Sequence, residues 1–229
     1  MDWHALRAEV RSRYVAKYNA TEAASYDRMP GMGCLTRVEE DACLSDLQRV
    51  FDIRQRMRVL DVGAGTGALC SVLTRLPGLS ITALEPAPAM LAVLRSKAGL
   101  AHVVTVQGFC DGVDDRRHFG ESQFDVVVAR QVVNGLFDPL TGFRNWRHWL
   151  APGGSVIVLD GLYGRDGWVG QWQEELDLLP LSACQTTALT PYLLTEAGFR
   201  IDAVDWMVAT NALPSTRTAR YVVVATKPA

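Results

Sequence analysis

The chain has 229 residues, 48% of them hydrophobic, and a formal charge of −2; that suffices for one substantial core, and no basic block suggests a nucleic-acid partner. The first ten residues mix acid and base and no apolar run approaches membrane-spanning length, so neither a secretory leader nor a membrane anchor is expected. Cysteines 34, 43, 70, 110 and 184 are odd in number and lack a C-x-x-C pair, which argues against a disulfide framework or zinc site and for a reducing cytoplasm.

The spacing of Leu6, Val10, Tyr14 and Tyr18 predicts a helix over 3–19, and Val38, Cys43, Leu44, Leu47, Val50 and Phe51 mark a second over 36–52. Short apolar runs then predict strands at 58–62, 80–84, 103–107, 124–129 and 155–160. Helical patterns at 67–76, 87–97 and 139–150 separate most of them. This alternation argues for an α/β fold whose parallel sheet is buried on both faces. A further helix over 191–197 should stop at Gly198. Two last strands, 199–209 and 220–226, have room for a loop but no helix between them, so they should pair antiparallel. No linker divides the chain. It reads as one domain with a helical extension or lid over 1–52, a core over 58–160, a cap insertion over 161–190 and sheet completion over 191–229.

The run Val59-Leu60-Asp61-Val62-Gly63-Ala64-Gly65-Thr66-Gly67 reads as a strand, a tight turn and a helix start. Glycines there permit positive φ and close approach of a ligand, and a helix N-terminus suits an anionic group. Glu85, at the end of the next predicted strand, is placed to accept both hydroxyls of a ribose. These features mark a nucleotide-type cofactor site. Gly63-Ala64-Gly65-Thr66-Gly67-Ala68 also satisfies the looser dinucleotide fingerprint, so an NAD-dependent dehydrogenase stays open at this point.

Four motifs in order carry a resemblance. Residues 59–67 look like the first motif of the class I methyltransferases that use S-adenosylmethionine (SAM). Ala83-Leu84-Glu85-Pro86-Ala87-Pro88-Ala89-Met90-Leu91 is similar to the family's second strand and helix start. Phe124-Asp125-Val126-Val127-Val128-Ala129-Arg130, followed by Asp138-Pro139, resembles its fourth strand and loop. Trp146-Arg147-His148-Trp149-Leu150-Ala151-Pro152-Gly153-Gly154 matches its approach to the fifth strand. The resemblance implies a Rossmann-like, seven-stranded, mainly parallel sheet with helices on both faces and a C-terminal antiparallel hairpin. It implies SAM as methyl donor and S-adenosylhomocysteine as product. Gly63, Ala64, Gly65 and Gly67 would carry the backbone past the methionine part, with Asp61 organising the turn or reaching the amino group through water. Glu85 and Pro86 would sit at the ribose, Met90 on the adenine or in the core, and Tyr26 and Arg130 against the cofactor. Many members have Gly-Asp-Ala at the adenine end. Here Gly108-Phe109-Cys110-Asp111 puts the carboxylate two places late, so either Asp111 reaches back or backbone near Cys110 recognises the base.

The acceptor side has no motif. Ala129-Arg130-Gln131-Val132 replaces the Asp/Asn-Pro-Pro-aromatic signature of members that methylate base amines or glutamine amides. The expectation is therefore a small-molecule N- or O-methyltransferase, with a non-catalytic SAM-binding partner subunit as the alternative. Tyr26, Gln131 and Asn134 are candidate catalytic groups. Tyr18, Gln131, Asn134, Tyr163, Trp168 and Trp172 are candidate substrate contacts. With Glu174, Glu175 and Asp177, the last three read either as a helix face packed on the body or as a cap for a cationic substrate. None of the four histidines stands out as a base, and no His/Asp/Glu cluster has metal spacing, so no metal is expected. Monomer and homodimer both stay open.

Overall fold

The computed structural model describes residues 2–167, 173 and 176–229. Its strands are β1 (Arg58–Val62), β2 (Ser80–Glu85), β3 (Val104–Gln107), β4 (Phe124–Arg130), β5 (Leu150–Gly161), β6 (Arg200–Trp206) and β7 (Arg220–Thr226). They form one sheet in the order β3-β2-β1-β4-β5-β7-β6. The first five are parallel, and β7 runs antiparallel to both β5 and β6. This is the expected seven-stranded, Rossmann-like sheet with its reversed C-terminal strand. The strand order turns back between β1 and β4, which opens a crevice at their carboxyl ends.

Helices α1 (Trp3–Lys17), α2 (Ala20–Tyr26) and α3 (Arg37–Val50) precede the sheet, and α4 (Ala68–Leu73), α5 (Pro88–Ser96), α6 (Pro139–Trp149) and α7 (Leu189–Glu196) lie between its strands. On one face Phe143, Trp146 and Trp149 pack against β4, β5 and β7. On the other, Leu47, Leu69, Leu73 and Leu94 cover β1 and β2. Val126 to Ala129 are buried between the two layers, which is why β4 reads as an unbroken apolar run.

Two elements differ from expectation. The helix predicted over 3–19 ends at Lys17, and α2 begins after Asn19, whose side chain accepts from the Thr21 and Glu22 amides (2.9 and 3.1 Å). The strand predicted over 199–209 stops at Trp206, and a short helix α8 (Val208–Asn211) occupies the connection that was expected to hold none. Its first amides are capped from outside: buried Asp46 on α3 accepts from Ala209 N and Thr210 N (2.9 and 2.8 Å). Four residues cannot hold a helix alone, and this borrowed carboxylate supplies what local sequence lacks.

Candidate active site

The turn after β1 consumes its own amides. Gly63 N and Ala64 N donate to Leu84 O (2.8 and 3.1 Å), and Gly67 N donates to Ala64 O (2.8 Å). Gly65 N donates to Glu85 Oε2 (3.1 Å). The anion seated at this turn is thus a carboxylate of the chain itself. Gly63 sits at φ +64°, and a Cβ there would fall 2.6 Å from Val132 Cγ2. At Gly67, φ +90°, a Cβ would meet Leu100 Cδ1 at 2.7 Å. Gly63 therefore lets the strand end lie against the loop after β4, and Gly67 lets the turn pack on the segment behind α5.

Glu85 ends β2 with 1% of its surface exposed. Its Oε1 accepts from Ala87 N (2.9 Å), and the Tyr14 phenol donates to the same carboxylate. Burial pushes its pKa up to about 7, against the pull of the Ala87 and Gly65 amides. Burial, then the Glu85 charge, also holds the Tyr14 phenol well above its ordinary value. Asp61 is equally buried and is pushed up to about 7 by desolvation, with Cys70 and Arg130 pulling it down. Cys70 Sγ donates to it (3.1 Å), tying β1 to the first turn of α4. Asp61, Ala64 and Gly67 lie behind the turn and do not line the cavity in front of it.

That cavity encloses about 610 Å³, a volume ordinary for a small-ligand site. It brings together Tyr26, Gly63, Gly65, Glu85, Pro86 and Met90, then Cys110 and Asp111, and on its far side Arg130. Tyr18, Gln131, Asn134 and Tyr163 line it as well, whereas Trp168, Trp172, Glu174 and Glu175 lie outside the described residues. Asp177 pairs at the surface with Arg165 (2.7 Å). Among the described residues no three His, Cys, Asp or Glu side chains converge as a metal-binding group, and no helix is long and apolar enough to cross a membrane.

The roof comes from residues that periodicity assigned to a core face or left aside. α1 presents Val10, Arg11, Tyr14 and Lys17 to the cavity, and Tyr18 just past its end joins them. The Tyr14 ring meets Tyr18 at 4.9 Å and Phe109 at 5.9 Å, both edge-on, and the Arg11 guanidinium lies 4.5 Å from the Phe109 centroid. Arg11 Nη2 donates to Asp111 Oδ1 (2.6 Å) and Asp115 Oδ2 (2.5 Å). The other Asp111 oxygen accepts from Phe137 N (2.7 Å). Asp111 thus fastens the roof and the loop before α6, which accounts for its displaced position. At the opposite end Lys97 Nζ bridges Asp27 Oδ1 (2.6 Å) and Thr66 O (2.7 Å). The repeating Arg11, Tyr14, Lys17, Tyr18 stripe was the available signal, because charge interleaved with aromatics on one helix face suits a wet cavity better than a dry core.

Beyond the turn, Arg130 donates to Met32 O (3.0 Å) and Gly31 O (2.5 Å). Gln131 follows at φ +57°, a conformation that costs a non-glycine residue energy and that clusters at functional sites. With the Gln131 amide oriented so that its oxygen faces the Arg220 guanidinium, the only orientation that satisfies both groups, that oxygen accepts from Arg220 Nη2 and Nη1 (2.5 and 2.7 Å), and Arg220 also donates to the Tyr163 hydroxyl. Buried Asp160 stands behind them, accepting from Val133 N (3.1 Å) and Gly161 N (2.8 Å), with a pKa pushed up to about 6 by burial.

Residues 60–156 match the methyltransferase-domain family. That stretch, under half of the chain, is similar to the class I SAM-dependent methyltransferases. A demethylmenaquinone methyltransferase of Chlorobaculum parvum is 28% identical to it over 109 residues, 48% of this chain and 43% of the relative. A ubiquinone biosynthesis O-methyltransferase of Xanthomonas campestris is 34% identical over 101 residues, 44% and 41% of the two chains. The matched stretches span under half the length of both relatives. A SAM-dependent methyltransferase from Aquifex aeolicus shares the fold at a TM-score of 0.65 and 17% identity, covering 92% of this chain and all of the other. The matched stretch holds the glycine turn, Glu85 and the Arg130 strand end, while the α1–α2 roof and the β6–β7 region fall outside it.

Proposed function

We propose that this domain binds SAM along the Gly63–Gly67 turn and transfers its methyl group to a nitrogen or oxygen of a small metabolite held beneath α1 and α2. The observation that carries the reading is Glu85, a nearly fully buried carboxylate at the end of β2 that faces the 610 Å³ cavity. Each of its oxygens accepts one backbone amide and the Tyr14 phenol takes a third position; of a carboxylate's about four acceptor positions one is left for a ribose hydroxyl, and a second hydroxyl would take the place of Tyr14. The occupied amides of Gly63, Ala64, Gly65 and Gly67 disfavour the dinucleotide alternative, because a pyrophosphate would need them as donors. Gly65 suits the same role, since a Cβ there would have only the Tyr26 ring near it, at 3.9 Å.

When bound, SAM supplies a sulfonium-activated methyl carbon open to in-line displacement. The chain's part is alignment and exclusion of water, worth up to roughly 7–11 kcal/mol in favourable intramolecular cases. Gln131 and Asn134 are neutral amides that can orient an acceptor but cannot serve as bases. Burial holds the Tyr26 phenol above its ordinary pKa even against the field of Arg130, so at neutral pH it acts as a hydrogen-bond donor. Catalysis by positioning follows from this set. Separate calorimetric titrations with SAM and NAD test the cofactor: SAM should bind and NAD should not, and the reverse result overturns the reading. Incubation with labelled SAM and a metabolite panel should yield a product heavier by one methylene unit. SAM binding without any such product favours the non-catalytic subunit.

A further inference from the structure

A second cavity of about 580 Å³ adjoins the first, and Met32, Arg130, Gln131 and Tyr163 line both. The partition between them is therefore one side chain thick. The far wall comes from Leu35 and Glu39 around the start of α3 and from the stretch between Met207 and Arg220 that carries α8.

The charge of this cavity is unbalanced. Among the described residues three guanidiniums line it, Arg130, Arg217 and Arg220, against one carboxylate, Glu39. Glu39 is already committed: Oε2 accepts from Thr36 N (2.8 Å) and Thr36 Oγ1 (3.0 Å), and Oε1 accepts from Ser215 Oγ (2.8 Å). Arg130 and Arg220 are half-buried, yet among the described residues neither has a carboxylate within 4.0 Å. Arg11 and Arg75, whose side chains are each 20% exposed, both have one: Arg11 pairs with Asp111 and Asp115, Arg75 with Asp41. A desolvated cation is ordinarily paired, so the contrast is informative. A guanidinium has five N–H donors; Arg130 spends two on carbonyls and Arg220 three on Gln131 and Tyr163. The remaining donors are forks of the geometry that matches carboxylate and phosphate. An independent mark lies in the same wall, where the Thr210 Oγ1 is buried with no hydrogen-bond partner. Leu35, Leu159, Met207 and Leu213 supply apolar surface beside these groups.

We propose that this cavity is an oxyanion subsite for the methyl acceptor. The acceptor is then a small organic acid, a carboxylate or phosphate ester with an apolar body. Its anionic group meets Arg217, the spare donors of Arg130 and Arg220, and Thr210, and its reactive atom points past Gln131 and Tyr163 toward the first cavity. This rests on the methyltransferase reading only for the identity of the ligand as acceptor; the anion site itself does not depend on it.

Benzoate, phenyl phosphate and uncharged benzyl alcohol, titrated calorimetrically into the intact chain, test the site. At least one of the two anions should bind saturably and benzyl alcohol should not. Arg217→Gln, at an exposed position where folding is not at stake, and Thr210→Val should each weaken that binding by about tenfold, and Glu85→Ala should leave it unchanged. Absence of saturable anion binding, equal binding of benzyl alcohol, or full affinity in both wall variants overturns the subsite. SAM titrated into the same samples reports on the methyltransferase reading separately. In the product assay the anion should compete with the acceptor and not with SAM. An anion that binds without competing is an effector, and that outcome overturns the acceptor assignment.

Discussion

Glu85 and Arg130 both stand at the carboxyl ends of central strands, yet their surroundings are built differently. The Glu85 carboxylate is held by two backbone amides, at Gly65 and Ala87, both within the stretch from β1 to α5. Arg130 reaches the carbonyls of Gly31 and Met32, almost a hundred residues away, and faces Arg220 and Tyr163 from the far end of the chain. One end of the crevice is made by the sheet's own backbone. The other is assembled from side chains on remote segments. The first plan tolerates little variation, because backbone turns have few conformations; the second can be rebuilt residue by residue, and that is where a fold changes substrate.

The largest effect should come from cutting the clasp that holds the remote part in place. Arg11→Met leaves Asp111 and Asp115 buried without their cation, and the side chain is only a fifth exposed. A loss of about 3 kcal/mol of stability is expected by urea denaturation, with faster hydrogen exchange in α1 and little change in β1 and β4. Uniform exchange in α1 and the strands alike would mean that the roof is as integral as the sheet. Next comes Glu85→Ala, expected to weaken SAM binding by about 2 kcal/mol, roughly thirtyfold. An unchanged affinity would remove Glu85 from the cofactor's contacts.

Gly63→Ala probes the backbone-built end. Its φ of +64° and the 2.6 Å approach to Val132 predict a loss of about 1–2 kcal/mol. Val132→Ala in the same chain should restore only part of it, because the clash is relieved and the dihedral is not. Complete recovery would show that packing alone demands glycine.

How much of this was legible depended on sequence distance. Glu85 could be singled out because it ends the strand that follows the glycine turn, and both features are local patterns. α8 could not, because its cap is Asp46 on α3, and no pattern near residue 208 reports it. Tyr14 and Tyr18 were visible as a helix face, but periodicity identifies a covered face without saying whether a core or a cavity covers it. Asp111 was conspicuous by its offset, and only the packed chain reveals that the offset lets it receive Arg11 and Phe137. Arg220 lay unnoticed in a strand pattern, since nothing in its neighbourhood announces Gln131 or Tyr163.

The smallest expected effect separates the two ends by pH. Burial raises Glu85 from an ordinary 4.5 to about 7, and Asp61 from 3.8 to about 7. Between those values the folded chain holds protons that the unfolded chain has released, so stability should fall as pH rises through that window and level off above about 7. Cofactor binding should slope the other way, because only ionised Glu85 accepts from two hydroxyls while keeping its two amides. SAM affinity should therefore rise by about tenfold from pH 6 to pH 8 and then flatten, with proton release seen as a buffer-dependent calorimetric heat. Glu85→Gln should abolish the slope, whereas Arg217→Gln should leave it intact. A slope that survives Glu85→Gln would assign the titration to Asp61, acting on the ligand through the turn it supports rather than by contact.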